Sequence, residues 1–194
     1  KVAFGSADAW AKMHIQMNDS GGPGSGSAAG MWLRNTSGTA GQAFNMYWGN
    51  DESAAAGSIA LVVDDNANNY GSLQFQTRSS GGYSTKMEID GAGNILVGTT
   101  DTTPYNNSAQ SSADNGIALG STGIISAAKF NDSVLLLNRT GSNDGSIIDL
   151  KKNGGTIGSI GTVDSDLNVY PAAAGHKGLR FGNGYLAPTS NSTT

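Results

Sequence analysis

Leu73-Gln74-Phe75-Gln76-Thr77-Arg78 alternates a side chain suited to an interior with one suited to water. That period of two is a half-covered β-strand, because successive side chains leave a strand on opposite faces. Met87 and Ile89 repeat the alternation within Lys86–Asp90. Working outward, strands are expected near Met31–Asn35, Ala43–Trp48, Ser58–Val63, Ser72–Arg78, Lys86–Asp90 and Asn94–Val97. Asp64-Asp65-Asn66 and Ser79-Ser80-Gly81-Gly82 separate these runs with turn chemistry. Further strands are expected near Ile124–Phe130, Val134–Asn138, Ser146–Lys151, Thr156–Ile160, Leu167–Tyr170 and Leu179–Phe181. Asn153-Gly154 reads as a tight hairpin, since both residue types tolerate positive φ. Ala7–Met17 reads either as two helical turns or, at His14–Met17, as a strand, and no amphipathic helix is legible after residue 20. The chain is expected to be all-β.

The plan occurs twice. Met31-Trp32-Leu33-Arg34-Asn35-Thr36-Ser37-Gly38 is echoed by Leu135-Leu136-Leu137-Asn138-Arg139-Thr140-Gly141-Ser142. Gly93-Asn94-Ile95-Leu96-Val97-Gly98-Thr99-Thr100 is echoed more loosely by Gly182-Asn183-Gly184-Tyr185-Leu186-Ala187-Pro188-Thr189. Four segments result: an N-terminal segment ending in a Gly/Ser-rich loop (1–30), a first β-module (31–98), a polar linker (99–115) and a second β-module (116–194). Repeated β-units joined by polar spacers build elongated proteins, because each unit stacks on its neighbour.

Composition limits what one copy can do alone. Ile, Leu, Val and Phe supply only 35 of 194 residues, while the net charge is just −4. Low charge argues for order, and the few large apolar groups argue for a thin core. A thin core offsets little chain entropy, so several identical chains are expected to share one interior. Gly is abundant (29 residues) without the every-third-residue spacing of collagen, as befits turns. Cys is absent, which excludes disulfides and thiolate metal sites. No apolar run approaches the ~18 residues of a membrane helix, and no signal sequence opens the chain. The acidic balance argues against a nucleic-acid surface.

Few residue patterns suggest catalysis, metal or cofactor binding. His14 and His176 fall in different modules without a nucleophile nearby. Asp64 with Asp65, and Asp164 with Asp166, are carboxylate pairs of the kind a glycoside hydrolase uses, but both read as solvated turns. Asp90-Gly91-Ala92-Gly93-Asn94 lacks the acidic density of a calcium loop and reads as a hairpin turn. Six Asn-x-Ser/Thr sequons, at Asn18, Asn35, Asn106, Asn131, Asn138 and Asn191, are what chance produces in so Asn/Ser/Thr-rich a chain. A binding site is expected at Tyr47, Trp48, Asn50 and Asp51, where aromatic rings beside polar groups suit a sugar or receptor surface. The stronger reading of Trp32 and Trp48 is that they fill the thin core.

Met87-Glu88-Ile89-Asp90-Gly91-Ala92-Gly93-Asn94-Ile95-Leu96-Val97-Gly98-Thr99-Thr100 resembles an element of tailed-phage fibres: hydrophobic-Arg-Ile-Asp-Gly-x-Gly-Asn-Val-Gly-Ile-Gly-Thr-Thr. Phe75-Gln76-Thr77 stands where those proteins carry a Phe-x-Thr strand. Phe130-Asn131, Val134–Thr140 and Lys152–Ile160 resemble segments of marine phage tail fibres and other virion appendages. The likeness spans residues 59–187, and its motif also occurs in bacterial surface proteins. Glu88 departs from the usual Arg and Leu96 from a Gly. The resemblance implies an elongated, intertwined homotrimeric β-fibre on the virion, contacting other virion proteins and a host glycan or receptor. Relatives often end in a self-cleaving intramolecular chaperone, and no segment here reads as one. The expectation is a non-enzymatic attachment protein without cofactor, nucleic-acid partner or membrane insertion. The alternatives are a tailspike-type glycan hydrolase and a bacterial or archaeal surface filament or adhesin.

Overall fold

The computed structural model describes residues 39–49, 55–80 and 82–190. It is all-β, in two antiparallel sheets with strands in consecutive order. The chain divides into two compact units, 1–130 and 131–194. The first holds seven strands: β1 (Ala43–Trp48), β2 (Gly57–Asp65), β3 (Tyr70–Ser79), β4 (Gly82–Ile89), β5 (Ile95–Val97), β6 (Gly116–Leu119) and β7 (Ile125–Ala128). The second holds β8 (Gly145–Lys152), β9 (Gly155–Val163), β10 (Asp166–Pro171), β11 (Lys177–Gly182) and β12 (Tyr185–Ser190). The polar stretch 99–115 lies between β5 and β6 of one sheet and forms two single-turn 3-10 helices, Pro104–Asn106 and Ser112–Asp114. Ser111 and Asp114 close a reciprocal capping box on the second.

Register places the apolar residues in rows. Phe44, Leu61, Leu73, Ile89, Ile95, Leu119 and Ile125 are successive cross-strand partners across all seven strands. Met46, Ile59, Phe75, Met87, Val97, Ile117 and Ala127 form the adjacent row on the same face. The opposite face carries Asn45, Ala60, Gln74, Glu88, Leu96, Ala118 and Ser126. There the Ser58 hydroxyl donates to Gln76 (2.9 Å), and Gln74 Oε1 accepts from Gln76 (3.1 Å) and Thr85 (3.0 Å). The smaller sheet repeats the division. Ile148, Ile160, Val169, Leu179 and Pro188 form one apolar row, and Thr162, Leu167, Phe181 and Leu186 flank it.

Among the described residues, the apolar faces are the less covered ones. Only Ala60, Leu96 and Ala118 are buried hydrophobics, and all three lie on the polar face of the first sheet. Small side chains there are shielded by longer neighbours, and the Pro104–Asn106 turn packs on β6 and β7 with Pro104 buried. Leu61, Val97, Ile117 and Ile125 in the apolar rows are exposed, as are Leu167, Leu179, Phe181 and Leu186 in the second sheet. The thin core read from composition is thus, within the described residues, an almost absent one.

The expected strand at Val134–Asn138 does not form. Val134 is a bend, residues 135–138 carry no regular structure, and the segment lies outside both sheets. β6 and β12 were not foreseen, being short or interrupted by Pro188. Residues 1–38, including Met31–Asn35 and the Ala7–Met17 helix-or-strand segment, lie outside the described residues.

Candidate functional site

Tyr47 and Trp48 are consecutive in β1, so their rings leave opposite faces of the sheet. Trp48 shares the apolar face and its indole lies over Gly57, its cross-strand partner; a Cβ at Gly57 would sit 2.6–2.7 Å from the ring. Tyr47 projects on the polar face beside Ser58 and is 63% exposed. The two rings therefore form no single stacking platform in one chain. Asn50 and Asp51 lie outside the described residues.

The Asp90–Asn94 motif is a structural junction. The Asp90 carboxylate accepts from the amides of Ala92 and Asn94 (both 2.9 Å) and from Asn94 Nδ2 (2.8 Å). Asn94 Oδ1 in turn accepts from the Ser121 amide at 2.9 Å, tying the β4–β5 turn to the β6–β7 turn. Partial burial acts to raise the Asp90 carboxyl, but these donors together hold it below its ordinary value. Gly93 has φ +84°, and the opposite turn needs Gly123 at φ +92°, which explains both glycines. The two departures from the fibre motif have places here as well. Glu88 accepts from Gln74 Nε2 at 3.4 Å, and Leu96 is fully buried on the polar face.

Each carboxylate pair is engaged locally. Asp65 accepts from Asn68 Nδ2 (2.7 Å) and from the amides of Ala67 and Asn68, and the Asn68 side chain leads in holding its carboxyl below the usual value. Asp64 accepts from the Ser72 hydroxyl at 3.4 Å. Asp164 and Ser165 both adopt positive φ in the two-residue β9–β10 turn. Asp144 accepts the amides of both, and the Thr162 hydroxyl leads in lowering its carboxyl. Arg180 donates Nη1 to Asp164 (2.9 Å) and Nε to Asp166 (2.8 Å), and the Tyr185 hydroxyl donates to Asp166 (3.2 Å). The Asp166 bond leads in raising the Arg180 guanidinium. The turn, the carboxylates and the guanidinium form a clasp joining β9, β10 and β11.

His14 lies outside the described residues. His176 belongs to the β10–β11 connection, where its amide donates to the Ala173 carbonyl at 3.3 Å. It lines a shallow groove of about 400 Å³ with Thr156, Ile157, Pro171, Ala172 and Ala173. Among the described residues no three His, Cys, Asp or Glu groups are placed to hold a metal ion.

The feature that single-residue reading missed is the apolar face that, among the described residues, is only partly covered. Its signal lay in the alternation itself, but only the register of every strand lines the residues up. Comparison with protein-family models, curated proteins and solved structures finds no match for this chain.

Proposed function

We propose that the chain is a structural subunit of a phage fibre or similar virion appendage, assembled as a homotrimer and contributing to host attachment. The observation that carries the self-assembly part is the apolar face of each sheet, only partly covered among the described residues. Seven strands spaced ~4.8 Å apart, with two rows of side chains, make a face of about 30 by 14 Å, on the order of 400 Å². The five-stranded sheet adds roughly 300 Å² by the same spacing. A patch of that size matches the largest on a typical monomer, roughly 300–600 Å², which is often an interaction surface. Each face by itself supplies up to about half of the ~800 Å² per partner of a standard stable interface. The fibre reading adds the likeness at Met87–Thr100, whose Asp90 and Asn94 brace consecutive hairpins as a stiff repetitive shaft requires.

Attachment in this reading is multivalent. Exposed aromatic groups such as Tyr47, on the face opposite the apolar rows and repeated on three chains, provide many weak contacts whose avidity needs no deep site. The test is the native mass by light scattering across dilutions, with electron microscopy of the particles. Three-chain, elongated particles are expected. A lone 19.7 kDa species at micromolar concentration overturns the reading.

A further inference from the structure

The stretch Val134–Asn138 is strand-like in composition but has no partner strand. Val134 is a bend and residues 135–138 belong to no regular element, and among the described residues the backbone of 134–138 makes no hydrogen bond. Val134, Leu135, Leu136 and Leu137 are all exposed, Leu136 at 84%. Four consecutive large aliphatics suit a strand covered on both faces, where no alternation is needed. Bare amides and carbonyls call for a second extended backbone.

Resting on the proposed self-assembly, the geometry points to a specific exchange: Val134–Asn138 of one copy adds as an antiparallel strand to the free edge of β7 in another copy. β7 is the edge that fits. Ile125–Ala128 contains no charge, proline or bulge, the devices by which edges are guarded. β8, by contrast, carries Asp149, Lys151, Lys152 and two register shifts, and β12 carries Pro188. β1 presents Asn45 and Tyr47 on one face, which a strand apolar on both sides does not match.

At β7 both faces suit an apolar strand. The two apolar rows of the sheet end at Ile125, 78% exposed, and Ala127, so one pair of the added side chains extends them. The other pair meets the side carrying Ser126, whose hydroxyl donates to the Ala118 carbonyl, with Ala118, Leu96 and buried Pro104 beyond it. Antiparallel addition brings Asp132 of the donor towards Lys129 of the acceptor, both exposed. Along the intervening residues, the Phe130 amide donates to Asn115 Oδ1 (2.6 Å) and the Ser133 amide to Asp132 (2.8 Å).

The full chain has no cysteine, so introduced thiols are unique. Chains carrying Ala128→Cys are assembled with chains carrying Val134→Cys and treated with a short bis-maleimide. A linked pair containing one chain of each kind is expected from the mixture and from neither variant alone. Leu136→Pro is expected to make the assembly dissociate at about tenfold higher protein concentration than wild type. A wild-type oligomer that yields no mixed cross-link overturns this exchange and leaves the fibre reading standing. A link formed only within single chains of a variant carrying both Ala128→Cys and Val134→Cys overturns it too. A one-chain mass for the wild type overturns both.

Discussion

Leu61→Gln separates a sheet face that meets water from one that meets another copy. Leu61 occupies the first apolar row between Phe44 and Leu73, and 55% of it is exposed in the single chain. Complete burial of a leucine is worth about 1.5–3 kcal/mol, so covering the exposed share contributes about 0.8–1.6 kcal/mol per copy. Three copies lose about 2.5–5 kcal/mol, which weakens trimer association by roughly two to four decades. A surface substitution outside any interface stays within about 0.5 kcal/mol. The assay is light scattering over a dilution series together with melting at several protein concentrations, since an obligate assembly melts at a concentration-dependent temperature. Asn66→Gln, at an exposed position of the β2–β3 turn, is the control. The reasoning is refuted if wild type melts at one temperature at every dilution and Leu61→Gln matches it.

Asp90→Ala removes the acceptor of three bonds and releases the Asn94 link to Ser121; because the site is partly solvated, the cost is about 1–2 kcal/mol, read by denaturant unfolding. The Asp90 carboxyl is lowered in the folded state, so its contribution is complete above the unfolded carboxylate value and is lost as pH falls through the folded one. Asp65, Asp101, Asp144 and Asp149 are lowered too, so unfolding curves from pH 7 to pH 2 are expected to show one-directional acid destabilisation, shallower in Asp90→Asn. Gly57→Ala pushes the Trp48 indole off its seat at a cost of about 1–3 kcal/mol, visible as a red-shifted tryptophan emission and a lower melting temperature. Gly161→Ala drives a methyl into the Gly145 carbonyl, a backbone atom that cannot swing aside, so the smaller sheet is expected to lose more stability than with Gly57→Ala. Tyr47→Ala is expected to weaken binding to host cells while leaving the native mass unchanged, and equal binding removes Tyr47 from the contact surface.

The strands that sequence reading located are those whose evidence is local. Ala43–Trp48 was bounded correctly, and the cores of β2, β3, β8 and β10 were found, because each carries its own alternation or run between breakers. Asn153-Gly154 was legible for the same reason, with φ of 50° and 81° in the turn. Val134–Asn138 misled because a strand-forming composition says nothing about a partner to pair with. β6 was missed because Gly116–Leu119 is too short to show a period, and only its ladder to β5 and β7 defines it. The site residues divide similarly. Proximity in the chain put Tyr47 beside Trp48, whereas the pleat sends them to opposite sides. Nothing in the spacing of Asp164, Asp166 and Arg180 announced their clasp, which depends on three strands in register.

What sequence alone determined, then, was the periodicity of two, the turns that interrupt it and the scarcity of large apolar groups. Those are properties of neighbouring residues and of a count. The two-row apolar faces, the Asp90–Asn94–Ser121 brace and the Arg180 clasp were decided only by the tertiary structure. The physical reason is that cross-strand register is a long-range choice: a slip of one residue in any strand sends its whole apolar set to the other face.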